Sequence, residues 1–445
     1  MIKQINFGKL FFAFALVLLL AGIVFGLLAA YVYLKPDFLK DSLGFAALRP
    51  LHVSFVVFWI ILGATASVIS GMQLINPSAF TSKTVALQIV LWLIAIIGIV
   101  MGYFKQEFGG REYWEFNPIW ALPIALSWLL FLYNFLKGAL KIKNWPVYIW
   151  MWMTGIIFFL FTFLENYLWI FPYFRENFIT DMTIQWKVNG SLVGSWNQVI
   201  YGTAFFLMDR ISGNHKVGYS KLSFAIFFLG MFNLMFNWGH HIYTLPTESY
   251  IRYVGYGVSM TEWIFFFRIV YLWRNTLNSI CTNYHYYPYR FIMASDFWIL
   301  LNLIQALLMS IPALNIYTHG THVTVAHAMG TTIGINSMIL FAACFIYFSN
   351  YTKTYNKSNK LLNISFWLVQ ISLLVFWLSL NIAGIKKGIW QVTNSKVVHY
   401  NMMKSLLPWF QTFTISGLIL MLSMGFLCIT ILFHYFKNIM TEKES

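Results

Sequence analysis

Apolar residues run along this chain in stretches of about twenty, the length that carries a helix across the hydrocarbon of a bilayer. Twelve such stretches can be marked, beginning near Phe11, Leu51, Val85, Ile119, Val147, Asp181, Lys221, Ser249, Phe291, Gly320, Leu362 and Gln411. The segments between them are short and polar. The pattern predicts an all-α, polytopic membrane protein of about twelve transmembrane helices, with residues 1–445 forming a single membrane-embedded domain and no convincing internal repeat. The opening run, "MIKQINFGKLFFAFALVLLLAGIVFGLLAAYVYL", has a basic start but is too long for a signal sequence and lacks an A-x-A cleavage site, so it reads as the first membrane helix.

Composition agrees with this reading. The chain is 59% hydrophobic, 20% aromatic and only 10% charged, with a mean hydropathy of +0.68; a water-soluble domain of this length has no use for so much apolar surface. The formal net charge of +15 does not argue for nucleic acid, because the basic residues are scattered through short loops. Their distribution is instead a topology signal. Placing the N-terminus in the cytoplasm puts seventeen Lys and Arg on that side against eleven on the other, with Lys187 inside the sixth span. Both termini are therefore expected in the cytoplasm. The three cysteines, Cys281, Cys344 and Cys428, form no CxxCH haem-attachment motif and no zinc spacing.

The candidate chemistry lies in the histidines. "YTHGTHVTVAHAMGTT" (317–332) opens the tenth span, His52 opens the second, and "GHHIY" (239–243) lies at the end of the seventh. With the topology above, all of these fall in one outer layer of the membrane, and imidazoles in hydrocarbon are functional candidates by default. His327 and Met329 are two residues apart, about 200° around a helix. They can serve two different centres on opposite faces, and both residue types are haem axial ligands. His240 and His241, about 100° apart, suit two ligands of one non-haem metal. His319 and His322 lie nearer the outer surface.

Histidines on the second, seventh and tenth of twelve spans resemble the haem-copper oxidase superfamily. Within it the chain is most similar to the large catalytic subunit of bacterial nitric oxide reductase. "LRPLHVSFVVFW", "GREYWEF", "WGHHIYTLPTESYIRYVGYGVSMTEW" and "YTHGTHVTVAHAM" occur in the family's order, and the likeness spans nearly the whole chain. The resemblance implies that His52 is an axial ligand of a low-spin haem b and His327 the proximal ligand of a high-spin haem b3. His240 and His241 become ligands of a non-haem iron or copper. Glu262, in "SMTEW", matches a glutamate that helps protons reach that metal. Glu112, in "GREYWE", matches a position associated with a calcium ion near the haem propionates. Arg111 beside it and Lys386-Lys387 in "NIAGIKKGIW" are cations that can pair with propionates.

The sequence departs from the family on the sixth span, "IQWKVNGSLVGSWNQVIYG". Where the family has a third histidine for the non-haem metal, alignment on Gly194 and Trp196 places Asn189, and alignment on the cbb3-type pattern places Gly190. Val193 and Asn197 stand where two glutamates are expected. Met329 stands where the family has a second histidine for the low-spin haem; His/Met ligation should still hold that haem and raise its potential. Two imidazoles and an amide oxygen make a weak iron(II) site.

The first functional reading is a respiratory oxidoreductase joining two NO into N2O. Its electrons would come from a c-type cytochrome subunit or from quinol, and its place would be the bacterial inner membrane, in contact with lipid and not with nucleic acid. The alternatives are a nitric oxide dismutase-like reaction giving N2 and O2, a haem-copper terminal oxidase reducing O2, and an electron-transfer or NO-sensing haem protein without the second metal.

Overall fold

The computed structural model describes residues 7–261, 264–348, 359–393 and 396–444. Over these residues the chain is helical throughout, and the single extended pairing among them is an isolated bridge between Arg111 and Trp114. The helices that matter below are α1 (Phe7–Val32), α2 (Gly44–Ile75), α3 (Ser82–Phe104), α4 (Ala121–Ala139), α5 (Val147–Glu165), α6 (Phe178–Ser212), α7 (Lys221–Phe236), α8 (Ser249–Ser259), α9 (Ile264–Thr276) and α10 (Tyr286–Ser310). They continue with α11 (His322–Met329), α12 (Met338–Phe348), α13 (Lys360–Val392) and α14 (Leu407–Glu444). α11 and α12 are joined by an eight-residue π-helical stretch, Gly330–Ser337.

Ten helical segments among the described residues are both long and apolar enough to cross a membrane, against about twelve expected. The two that differ do so for physical reasons. α6 has 35 residues, ample length for a span. Its interior carries Gln185, Lys187, Asn189, Asn197 and Gln198, which lower its hydropathy. The span expected from Ser249 is met by two shorter helices, α8 and α9.

The helix ends follow local chemistry. Asn177 caps α6 by accepting the Thr180 N–H at 3.0 Å, and Gly213 ends it in the left-handed region at φ 67°. Thr321 caps α11 through the Val323 N–H at 3.2 Å. Gly320, at φ 68°, makes the turn that delivers the chain into α11 from the short helix Pro312–Thr318. Pro50 sits inside α2, two residues before His52, and leaves the Ala46 carbonyl without its helical partner.

The chain folds as two compact units, residues 1–15 with 57–282 and residues 16–56 with 283–445. In the first, α5 packs along α6 and α3 along α4. Trp152 donates to the Thr203 hydroxyl at 3.2 Å across the α5–α6 seam. In the second, α13 packs along α14 and against α11, while α10 lies against the π-helical stretch and α12. α10 and α13 are stitched by side-chain hydrogen bonds spaced along their length. These are Arg290 to Asn363 (2.5 Å), Trp298 to Gln370 (2.9 Å) and Gln305 to Asn381 (2.7 Å), with Trp377 donating to Gln305 at 3.0 Å beside the last. Buried polar groups in an apolar medium must be paired with one another, so the ladder fixes the register of the two helices.

α13 also presents bare backbone to the segment that leads into α11. A Cβ at Gly388 would stand 1.8 Å from the Tyr317 carbonyl oxygen, and one at Gly384 2.3 Å from the Val323 nitrogen. Backbone cannot give way as a side-chain tip can. Gly388→Ala is therefore expected to destabilise the protein by about 3 kcal/mol, the upper part of the overpacking range. Gly257→Ala on α8, where a Cβ meets nothing within 4 Å, should be neutral. Thermal unfolding of the two variants side by side checks the contrast.

Candidate functional site

The second unit holds His52, His327 and Met329. On α1, Gly22 and Gly26 are one turn apart and form a trough in which the His52 ring lies. Its Nδ1 is 2.7 Å from the Gly22 carbonyl oxygen, and a Cβ at Gly26 would come within 2.6 Å of the same nitrogen. A carbonyl can only accept, so Nδ1 carries the proton and Nε2 keeps its lone pair. This is how ligating histidines are normally oriented, by a partner on the other ring nitrogen.

His327 sits one turn into α11, half-buried, with Met329 at the end of the same helix. The His327 Nδ1 is buried without a hydrogen-bond partner. Thr331, on the first turn of the π-helical stretch, donates its hydroxyl to the His327 carbonyl at 3.2 Å. His322 faces elsewhere: it packs edge-on to Tyr33 at 5.8 Å and against Phe410 at 5.1 Å. Burial holds the His319 imidazole below its ordinary value, which keeps it neutral near pH 7. Of the two lysines on α13, Lys386 is exposed with its ammonium 5.5 Å from the Trp409 ring, and Lys387 is half-buried with its charge felt at His322.

The first unit holds His240 and His241. They occupy a tight turn, Asn237–Ile242, that follows α7. This turn rests on α8 through glycine: a Cβ at Gly239 would be 2.7 Å from the Ile251 carbonyl. The two imidazoles stack, with ring centroids 4.2 Å apart and a tilt of 32°. His240 Nδ1 lies 3.2 Å from the Ser259 hydroxyl, which itself donates to the Gly255 carbonyl at 2.7 Å. His241 lies on α6 at Gly190, where a Cβ would stand 2.7 Å from its Nε2. The absence of a side chain at Gly190 is what admits the His241 ring. Asn189 and Asn197 each have a buried amide oxygen without a hydrogen-bond partner. Glu262 lies outside the described residues.

Two ion pairs stand on α6 that the sequence pattern does not announce. Lys187 pairs with Glu165 at the end of α5, and its ammonium is 5.7 Å from the ring of Trp238, two residues before His240. The signal was present as a lysine and a glutamate inside apolar spans, but nothing local says that they meet. Arg111 holds Asp181 with two hydrogen bonds of 2.7 and 3.0 Å and lies 4.9 Å over the Trp169 ring. The backbone carbonyl of Glu112 accepts from Gln185 at 3.4 Å. The loop expected to meet propionates is thus tied to the start of α6 by an ion pair and a backbone contact.

The donor sets differ in how well they fit their cofactors. His52, with its tautomer fixed, fits a haem iron, and the half-buried His327 offers a second imidazole. The non-haem metal fits less well. Among the described residues no three His, Cys, Asp or Glu side chains come together as a metal site. That leaves two adjacent imidazoles and the amide oxygen of Asn189, and it leaves Glu112 without a carboxylate cluster for calcium.

Residues 6–419 match the family described as Cytochrome C and Quinol oxidase polypeptide I. A nitric oxide reductase subunit of Stutzerimonas stutzeri is 25% identical over 411 residues, covering 85% of this chain and 83% of that protein. Cytochrome c oxidase subunit 1 of Rhodobacter capsulatus is 22% identical over 396 residues, covering 83% and 72%. A solved heme-copper terminal oxidase dimer superimposes with a TM-score of 0.74 at 13% identity, covering 98% of this chain and 84% of that one, which establishes the shared fold. With a family match running from α1 into α14, the chain belongs to the cytochrome c and quinol oxidase polypeptide I family, and it is a multi-span membrane oxidoreductase of the haem-copper type.

Proposed function

We propose that this protein is a respiratory oxidoreductase of the bacterial inner membrane that reduces nitric oxide, 2 NO + 2 e⁻ + 2 H⁺ giving N2O + H2O. His327 would hold the high-spin haem at which NO binds, and His52 with Met329 the low-spin haem that passes electrons to it. The observation that carries the reading is the fixed Nδ1 proton of His52, which leaves Nε2 as a ready donor. The haems supply reversible one-electron chemistry and a vacant position for a small gas. The protein's part is to orient imidazoles and exclude bulk water. The stacked pair His240-His241, with Asn189, would hold an iron or copper weakly, and Glu262 would hand protons inward. Electrons would arrive from a c-type cytochrome subunit or from quinol. Arg111 and Lys386-Lys387 would carry charge toward the propionates, with Glu112 near any calcium ion. Both termini would face the cytoplasm.

A second reading, dismutation of NO to N2 and O2, draws support from Val193 and Asn197 on α6. Neither can handle protons, and dismutation needs no net proton uptake. The remaining alternatives are O2 reduction, as in the terminal oxidases of the same family, and a haem protein that transfers electrons or senses NO.

Mass spectrometry of gases from purified protein given isotope-labelled NO, with and without an artificial electron donor, tests these. N2O formed only with the donor is the expected result. N2 and O2 without a donor would replace it with dismutation. Neither gas, from protein that contains haem, would leave electron transfer, sensing or oxygen reduction.

A further inference from the structure

The π-helical stretch Gly330–Ser337 begins three residues after His327 and immediately after Met329. A π turn widens the helix by pairing each carbonyl with the N–H five residues on in place of four; such turns recur at functional sites. Hydroxyls of the stretch add side-chain hydrogen bonds to carbonyls in it and just before it. Thr331 donates to the His327 carbonyl at 3.2 Å, Thr332 to the Ala328 carbonyl at 2.8 Å, and Ser337 to the Thr332 carbonyl at 2.8 Å.

One residue outside the stretch controls the first of these bonds. Asn302, 3% exposed on α10, donates its Nδ2 hydrogen to the Thr331 hydroxyl at 2.6 Å. Its Oδ1 fills the notch at Gly330, where a Cβ would stand 2.2 Å away, and is otherwise without a partner. Asn302 therefore reaches His327 through the Thr331 hydroxyl, which bonds to the His327 carbonyl. Since the Thr331 hydroxyl has a single hydrogen and gives it to the His327 carbonyl, it must accept from Asn302. The direction of the chain is fixed: Asn302 amide to Thr331 hydroxyl to His327 carbonyl.

We propose that Asn302 and Thr331 are positioning residues for His327, setting the orientation and strength of its bond to the haem iron by holding the helix in the wide register that follows the ligand. The proposal rests on the reading of His327 as a haem ligand. It goes beyond that reading by naming the groups that tune it. Removing the amide would let the turn relax toward ordinary α-helix, rotating the imidazole and straining its bond to iron.

The test is the iron–histidine stretching band of the ferrous high-spin haem, read by resonance Raman spectroscopy on the full-length protein. Asn302→Ala and Thr331→Val are each expected to move the band to lower frequency and broaden it, while Thr331→Ser, which keeps the hydroxyl, restores the parent position. Where Asn302→Ala does not accumulate, the near-isosteric Thr331→Val and its serine counterpart decide the matter. Variants that retain haem with the band unmoved overturn the proposal and leave the pair as packing. A parent protein without such a band overturns the haem assignment of His327 itself.

Discussion

Protein carrying His327→Ala is expected to lose the high-spin haem while keeping the low-spin one, and its turnover should fall at least about 100-fold. That floor is conservative, since removing even the groups that support a metal ligand costs about 10–100-fold. The appropriate comparison is His322→Ala. His322 lies five residues earlier, at the start of α11, with its ring against Tyr33 and Phe410, so it should retain both haems and lose only packing. Haem content by pyridine haemochrome, set beside reduced-minus-oxidised spectra, separates the two. A His327→Ala protein with both haems intact would remove the central assignment.

The second large effect is expected at Lys187 and Glu165. Their side chains are only 24% and 17% exposed. Breaking a buried pair by truncating one partner strands the other charge, which in fully buried cases costs about 3–5 kcal/mol. With partial exposure, Glu165→Leu or Lys187→Met alone should cost about 3 kcal/mol. The double replacement should recover much of that, because two apolar groups strand nothing. The melting temperature of all four proteins, followed by loss of haem absorbance, gives the double-mutant cycle. Equal costs that simply add would show that the pair is not coupled. Because Lys187 also lies over Trp238, Lys187→Met should perturb the turn bearing His240 and His241, and the double should not restore that part.

The order of helices was legible because apolar length is a one-dimensional property. Each expected start falls at or within a few residues of a described helix, from Lys221 at the first residue of α7 to Asp181 in the first turn of α6. What length and hydropathy miss is polarity in the middle of a span. α6 carries Gln185, Lys187 and Asn189 close together; Lys187 makes sense only against Glu165 of α5 and Trp238, and Gln185 only against the Glu112 backbone. Distance in sequence hid other features too. Glu165 and Lys187 are 22 residues apart on different helices, and Asn302 reaches Gly330 from another helix altogether. A π-helical register has no compositional mark; "GTTIGINS" reads as ordinary helix until Asn302 and the hydroxyls are seen to hold it. At Gly190, one of the two residues offered for a missing ligand, the structure shows a reason for glycine: the His241 ring occupies the space a side chain would need.

The trough on α1 has a consequence for how the protein is made. If His52 holds a haem as proposed, the nitrogen it would offer to iron is selected by a carbonyl on α1, whereas His52 itself is on α2. Until those two helices pair, the imidazole samples both tautomers and presents no defined lone pair. Under the proposed ligation, cofactor loading would depend on assembly: pairing of α1 with α2 would be what presents the Nε2 lone pair to a haem. Capture would in turn hold the hairpin closed, so that each event would proofread the other.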